Sequence, residues 1–585
     1  MFRGWYIPPV KTTRASTLVP FGAAVLALAA SRPVPPSAPA DLVLRHGVVY
    51  TVDAARSWAQ AVAVKDSRIV YVGSDLGAAA LVGPGTKVLD LGGRLVLPGF
   101  VDAHIHPVSG GIELGLCNLN DLPDAPATLA KVRACAAERP GTDWLQGGGW
   151  SLAAFRGGAP TRQSLDAIVP DRPAYFSAAD GHSAWVNSKA LALAGVTRGT
   201  PDPANGRIER DAAGEATGTL RESAGDLVSR LLPEPTADDQ LAGLRRAFEH
   251  ANRNGLTTLQ EANAGPGPAG SPGALGAYRE AERRGLLTAR VTVSLATDSA
   301  RGPEQVDNLV KLRREFMSSL VRPLSVKIFA DGVIEPRTAA MLEPYLDKPG
   351  SRGEPNWSEA ALNAIVARLV KEDFNVHVHA IGDRAVRMTL DAMEAARGGE
   401  GRRRPRNQIA HLEVIQPQDV PRFRTLGVIA NFQPLWAYAD SYIRDLTWPG
   451  LGEERSRFLY PIGSVARSGA VLAFGSDWSV SSLNPLAGMQ VAVTRRGLGA
   501  EGDAAPLLPE EAIDLPTAVA AYTIGAAYAA DRETETGSLE VGKFADLVVL
   551  SDNVFSLPDR EIASAKVLLT LLGGKPVWRE PGFAY

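Results

Sequence analysis

Eight short apolar runs recur through the middle of this 585-residue chain, and they constrain its fold more than any other feature. Each is followed by a polar or glycine-rich loop and then by a helical pattern. The runs are residues 95–101, 257–259, 290–295, 325–329, 375–379, 408–411, 427–431 and 471–474. Strands that alternate with helices form parallel β/α units, and eight units close into a barrel. We therefore predict an α/β fold built on a (β/α)8, TIM-like barrel.

The two ends of the chain show a different pattern, with short strands separated by Gly, Asp and Ser. Residues 41–98 and 530–585 both show it, and we predict that they combine into one small β-sandwich. The barrel is then expected within residues 99–529. Residues 107–240 lack the alternation of strand and helix, so we interpret them as a large insertion after the first barrel strand.

Residues 1–40 are typical of an export signal with a flexible lead-in. Positive charges precede an uncharged, mostly apolar stretch at residues 18–30, and small residues follow at possible cleavage sites. The stretch is too short to span a bilayer comfortably. We expect an exported protein, periplasmic or extracellular, with no stable membrane span.

Cys117 and Cys135 are the only two cysteines. Export would permit a disulfide between them, but two thiols make neither a disulfide framework nor a structural zinc site. Our expectation is that both are small buried residues. The 61 basic and 64 acidic residues give a net charge of −3, which does not favour a nucleic-acid partner.

The polar residues that end the predicted strands indicate a metal site. In a β/α barrel the chemistry lies at the C-terminal ends of the strands. Five of the eight histidines lie at such ends, an acid follows the last run, and a lysine lies within the fourth. These residues are His104, His106, Lys327, His377, His379, His411 and Asp477. Imidazoles with a carboxylate are suitable ligands for zinc or a similar ion.

Lys327 is unusual because a buried lysine without a partner is costly. Carbamylation by CO₂ would convert its ammonium group into a carboxylate that can bridge two metal ions. The alternative is an ordinary lysine that pairs with Asp331 or with a substrate anion.

Seven motifs together resemble a known family. They are residues 97–106 (LPGFVDAHIH), 180–191 (DGHSAWVNSKAL), 326–332 (VKIFADG), 379–385 (HAIGDRA), 410–411 (AH), 475–477 (GSD) and 537–547 (GSLEVGKFADL). The pattern resembles the amidohydrolase superfamily, in the branch of metal-dependent hydrolases related to N-substituted formamide deformylases (amidohydrolase family 3). The resemblance covers about residues 41–585.

The resemblance implies roles for the matched positions. His104, His106 and Asp477 would hold one metal ion, His379 and His411 would hold a second, and an N6-carboxylated Lys327 would bridge the two. Asp477 would also move a proton from the attacking water to the leaving group. The implied protein is a hydrolase of an amide-type C–N bond that carries about two zinc ions, acts on a small molecule and forms a homodimer.

The expected substrate contacts come from five residues. They are His182, Glu222, Asp331, Glu335 and His377. His182 would also polarise the substrate carbonyl; the alternative is a loop held by internal hydrogen bonds. His377 matches no family ligand clearly, so it either supports a ligand or lines the pocket. Glu335 departs from the small residues expected there and would favour a basic or hydrogen-bonding substrate group.

Two other functions remain open at this stage. One is a mononuclear deaminase or cyclic-amide hydrolase on the same fold, in which Lys327 stays an ammonium. The other is a non-catalytic binding protein, which the full set of ligands argues against.

Overall fold

The centre of the computed structural model is a parallel sheet of eight strands that pair in sequence order. The strands are β1 (Phe100–Ile105), β2 (Leu256–Ala264), β3 (Arg290–Ala296), β4 (Val321–Phe329), β5 (Asn375–Ala380), β6 (Gln408–His411), β7 (Ile429–Phe432) and β8 (Leu472–Phe474). The structure describes residues 38–120, 122–141, 143–265, 273–399, 401 and 405–585. The predicted barrel is confirmed, whereas residues 1–37 of the predicted signal lie outside the described residues.

Hydrogen bonds between β1 and the loop after β8 bring the two edges of the sheet together. The Asp477 amide donates to the His104 carbonyl at 2.7 Å, and the His106 amide donates to the Trp478 carbonyl at 2.9 Å. Gly475 lies so close to β1 that a Cβ atom there would be 2.5 Å from the His104 nitrogen. A glycine is therefore required where the barrel closes.

Helices surround the strands, as the sequence predicts. Following the barrel strands, they are Ala237–Arg253, Gly273–Arg283, Val306–Phe316, Glu359–Lys371, Asp383–Ala395, Val420–Leu426, Ile462–Ser468 and Pro485–Thr494. The first begins with a capping box in which Thr236 and Asp239 satisfy each other's backbone amides. Its apolar side chains Leu241, Leu244 and Phe248 share one buried face.

A sandwich of two sheets includes strands from both ends of the chain. The six-stranded sheet contains, in spatial order, Lys575–Arg579, Val567–Leu572, Leu547–Leu550, Leu95–Pro98, Val48–Tyr50 and Trp58–Ala59. The four-stranded sheet contains Arg68–Gly73, Ala61–Lys65, Leu42–Arg45 and Lys87–Asp90. One apolar cluster lies between them and includes Leu44, Val62, Leu547 and Leu569.

The apolar run at residues 95–101, which we counted as one barrel strand, divides between these two parts of the fold at the boundary that we predicted between residues 98 and 99. Leu95–Pro98 pairs with strands of the sandwich, and only Phe100 onwards belongs to β1. The break falls at Gly99, where a Cβ atom would lie 2.3 Å from Thr257 Oγ1. Hydropathy alone does not reveal such a break, because both halves are buried.

Between β1 and the first outer helix the chain forms a further six-stranded sheet. Its strands, in spatial order, are Gly206–Arg210, Ala216–Glu222, Ser183–Val186, Ala174–Ala178, Leu145–Trp150 and Cys117–Asn118. The helices of this segment are Pro107–Glu113, Ala125–Glu138, Arg162–Asp166, Ser188–Leu193 and Asp226–Ser229. We call residues 107–236 the insertion.

A disulfide joins Cys117 to Cys135 within the insertion. Both cysteines are buried, as expected, and they form the disulfide that export would permit. Cys117 lies in an edge strand and Cys135 on the helix packed beside it, with their Cα atoms 5.8 Å apart, a separation that a disulfide spans without backbone movement.

Further helical segments lie outside the insertion and outside the ring of barrel helices. They are Asp75–Ala79, Trp448–Ser456, Leu515–Ala520 and Ala526–Ala529, with π-helical turns at Tyr442–Thr447 and Ala521–Gly525. Among the described residues, no helix combines the length and the apolar character needed to cross a membrane.

Candidate metal centre

Three side chains meet where the barrel closes, at the C-terminal ends of its strands. His104 lies in β1, His106 follows that strand, and Asp477 lies in the loop after β8. Asp477 Oδ1 is 3.1 Å from His106 Nε2 and 3.4 Å from His104 Nε2. Within the described parts of the chain, these three form the one group whose ligand atoms all lie within 4.8 Å of one another. The structure thus brings together the ligands expected for the first metal ion.

The backbone around Asp477 is strained and firmly held. Its φ of 53° is left-handed, which costs a non-glycine residue on the order of 1–3 kcal/mol. Asp102 in β1 offsets this cost, because its Oδ1 accepts hydrogen bonds from the amides of Ser476 (3.0 Å) and His104 (3.1 Å). These bonds fix the Asp477 carboxylate opposite the two imidazoles.

His379 and His411, expected to hold a second metal ion, lie beside this group. Their ring centroids are 4.5 Å apart. His411 Nδ1 is 3.9 Å from Asp477 Oδ2, and its ring stacks on Trp436. His379 Nε2 lies 3.1 Å from the Gly332 carbonyl, so that nitrogen is already engaged by the backbone.

Lys327 lies beneath the histidines. It is 1% exposed, and its Nζ is 3.1 Å from His104 Nε2. Burial lowers the pKa of Lys327 to about 8, although Asp477 and Glu261 oppose that shift. The suggested partner Asp331 is engaged elsewhere, since its carboxylate accepts three backbone N–H bonds of 2.9–3.0 Å. The alternative of a Lys327–Asp331 pair is therefore not observed.

The donors fit a divalent metal ion. His411 Nδ1 is buried and makes no hydrogen bond, an arrangement that is costly unless another partner is bound. Asp477 Oδ1 lies close to two imidazole nitrogens without a well-aligned hydrogen bond to either. Burial lowers the pKa of His104, His379 and His411 well below the usual value, so these imidazoles are neutral. Neutral imidazole and carboxylate are ligands that zinc and similar ions accept.

His182 reaches the centre from the insertion. Strands Ser183–Val186 and Ala216–Glu222 pair, which places Glu222 Oε2 2.9 Å from His182 Nδ1. Thr338 Oγ1 donates to the other oxygen of Glu222 at 2.6 Å. Burial opposes charge on His182, but the charge and hydrogen bond of Glu222 raise its pKa to about 9. The ring of His182 lies 5.3 Å from that of His379, and Nε2 is the nitrogen left for a ligand.

Three residues that we predicted to contact substrate lie outside the cavity over the metal centre. His377 is fully buried, and its Nε2 lies 2.9 Å from His104 Nδ1. Asp331 accepts hydrogen bonds from backbone amides in the loops after β4 and β5. Glu222 lies behind His182. None of the three lines the cavity described next, and their contact with substrate stays a prediction.

A cavity of about 460 Å³ opens over this centre. His182, His379, His411 and Asp477 lie on its wall, as does the predicted substrate contact Glu335. Burial raises the pKa of Glu335 to about 7. The cavity is large enough for a small organic molecule.

Glu261 is a site residue that the sequence analysis missed. It is 2% exposed, and its Oε1 lies 3.6 Å from His106 Nδ1. Tyr278 donates a 2.9 Å hydrogen bond to its other oxygen. The available signal was an acid within the apolar β2. Glu261 and Asp477 raise the pKa of His106 to about 9 against the effect of burial.

The fold and this centre define a metal-dependent hydrolase, and comparisons with known proteins identify the family. Residues 87–578 match the model of the amidohydrolase family, so the chain belongs to that family.

Its relatives match along most of their length. The chain is 32% identical to Protein LONG AFTER FAR-RED 3 of Arabidopsis thaliana over 550 residues, 92% of each protein. It is 30% identical to the N-substituted formamide deformylase of Arthrobacter pascens, over 91% of this chain and 97% of that one. A crystal structure of an uncharacterized metal-dependent hydrolase from Pyrococcus furiosus superposes with a TM-score of 0.67 at 27% identity, over 88% of this chain and 99% of that one.

Proposed function

We propose that this hydrolase cleaves an amide-type C–N bond of a small molecule. The observation that carries the proposal is the position of Asp477. Its carboxylate lies within 3.4 Å of two imidazoles and also lines the cavity. A carboxylate placed between a metal site and a substrate cavity can move protons for hydrolysis.

The reaction follows from the arrangement. A divalent metal ion bound by these residues would supply a water of lowered pKa and would polarise the substrate carbonyl. Asp477 accepts the proton of the attacking water and passes it to the leaving nitrogen. His182, held by Glu222, donates a hydrogen bond from Nε2 to the carbonyl oxygen as negative charge develops there.

The formamide deformylase supports the choice of bond, since its name describes the removal of a formyl group from nitrogen. We therefore expect formamides, acyl amides and cyclic amides to be the first compounds worth testing. The plant relative's name describes no reaction.

We further propose two zinc-like ions per chain, bridged by N6-carboxylated Lys327. The burial of Lys327 and the 3.1 Å separation from His104 support this proposal. About two ions per chain by elemental mass spectrometry, with incorporation of isotopically labelled bicarbonate, are expected. About one ion and an unmodified lysine would instead favour the mononuclear deaminase or cyclic-amide hydrolase.

The test of the reaction is Asp477→Asn. We expect kcat to fall by about 10²–10⁴-fold, because the carboxamide cannot carry the proton. The histidines should retain metal, which elemental analysis checks. Asp559→Asn, at an exposed position, is the matched control. Unchanged activity in Asp477→Asn would refute this mechanism.

We also propose that the protein is exported. The disulfide between Cys117 and Cys135 supports this, because disulfides persist in oxidising compartments. Cell fractionation of the full chain, followed by N-terminal sequencing, should find a shortened protein outside the cytoplasm. A full-length cytoplasmic protein would contradict the proposal.

A further inference from the structure

The lining of the cavity over the metal centre is rich in acids. Five of its lining residues are acids, and the described residues that line it include no lysine or arginine. The acids are Asp180, Glu335, Glu413, Asp440 and Asp477. Only Asp477 belongs to the metal centre, so the other four call for a separate explanation.

Glu413 is the most informative of the four. It is 4% exposed and lines the cavity, yet its Oε2 makes no hydrogen bond. Asp180 Oδ2 is likewise buried without a hydrogen-bond partner. Unpartnered buried carboxylate oxygens are costly, because they have lost water without gaining a donor. A ligand that brings donors into the cavity would remove this cost by drawing these side chains towards it.

Glu335 completes the acidic wall. Thr447, on the π-helical turn, donates to Glu335 Oε1 at 3.2 Å, which holds the carboxyl group at the cavity surface. The other cavity residues include aromatic rings, among them Trp436 and Tyr460. Carboxylates together with aromatic faces are the groups that bind organic cations.

A second metal site is a poorer explanation. Among the described residues, the one close group of three metal-binding side chains is His104, His106 and Asp477. The acids of the wall form no such group. They are better suited to an organic cation, whose carboxyl partners can lie farther apart than the ligands of a metal ion. An alkylammonium group has three donors and an apolar stem, which matches this surface.

We infer that the substrate carries a protonated amine, which Glu335 and Glu413 bind while its amide carbonyl lies at Asp477 and His182. This inference rests on the proposed function, which it extends by naming a substrate class: amides of amino compounds. The cation would anchor the substrate away from the reacting bond and orient that bond.

The first experiment measures binding alone. Benzylammonium and benzyl alcohol, which have nearly the same shape, are titrated into the zinc-loaded protein by calorimetry. We expect benzylammonium to bind at least about tenfold more tightly, as charge-assisted hydrogen bonds allow. In the variant Glu335→Gln/Glu413→Gln the preference should fall to about twofold or less. Glu453→Gln, an exposed glutamate on helix Trp448–Ser456, should keep it.

Equal affinities in the unaltered protein, or a preference that survives in the double variant, would overturn the inference. Thermal unfolding of the double variant checks that it is folded. Because binding is measured without turnover, this result is independent of the hydrolytic mechanism.

A second experiment uses turnover. The value of kcat/KM for an aminoalkyl formamide is compared with that for an alkyl formamide of the same length. We expect at least about a tenfold advantage for the amine, lost in the double variant. Hydrolysis of both compounds at equal rates would refute the amine site and leave the proposed function standing. Tight amine binding with no hydrolysis of any amide would refute the proposed function and leave the amine site standing.

Discussion

At the scale of single residues, Glu261 decides how His106 faces the metal centre. It lies 3.6 Å from His106 Nδ1 and is itself held by Tyr278. A carboxylate behind a ligating histidine fixes the ring and raises its basicity.

We therefore expect Glu261→Gln to lower metal affinity by about 10–100-fold without unfolding the barrel. Titration of the metal-free protein with zinc, against a chelator of known affinity, measures the change. Glu315→Gln, at an exposed ion pair, is the control. An affinity equal to that of the unaltered protein would contradict the role given to Glu261.

The sequence allows the ligands to be predicted better than the residues that support them. His104 and His106 stand out because alternation in a strand places them on one face. Glu261 and Asp102 act through contacts between strands far apart in the chain, which periodicity does not reveal. The same limit applies to Asp331 and His377, whose hydrogen bonds to Gly382 and His104 join residues far apart in the chain.

At the scale of elements, the disulfide is expected to stabilise the insertion without affecting the metal centre. Cys117 and Cys135 are separated by 18 residues, and closing a loop of that length restricts the unfolded chain by about 3 kcal/mol. Both cysteines belong to the apolar cluster of the insertion.

Replacing both cysteines by serine should lower the free energy of unfolding of the insertion by about 2–4 kcal/mol. Metal content should stay the same, since the ligands of the first group lie at the ends of barrel strands. Calorimetry of the variant and of the reduced protein measures the effect. If reductant destabilised the variant as well, the disulfide would not be the cause.

Periodicity is a good predictor of strands and a poor predictor of their partners. All eight barrel strands overlap predicted runs, yet the run at residues 95–101 divides between two sheets. Its two halves are equally buried, and the difference between them lies in the packing of Gly99 against Thr257. That contact depends on the assembled fold.

At the scale of the whole molecule, a buried ion pair links the barrel to the sandwich. Arg290 at the start of β3 makes two hydrogen bonds to Asp546, of 2.7 and 3.1 Å. Asp546 precedes strand Leu547–Leu550 and also accepts a bond from the Gly573 amide. This ion pair therefore joins the start of a barrel strand to the C-terminal part of the sandwich.

We expect Asp546→Asn to destabilise the protein by about 3–5 kcal/mol, since it leaves the Arg290 charge buried without its partner. The double variant Arg290→Met/Asp546→Leu should recover part of that loss. Denaturant unfolding gives both values. A loss below about 1 kcal/mol in Asp546→Asn would show that the link is dispensable.

The closure of the barrel also determines when a metal ion can be held during synthesis. During synthesis His104 is made early and Asp477 is made late. The sandwich strand Lys575–Arg579 is made later still. A ribosome-bound chain that has emerged only as far as β7 therefore has histidines but no finished centre. We expect the metal ion to be captured after the carboxylate has emerged, so the supply of metal where folding ends, rather than where translation occurs, determines which ion is bound.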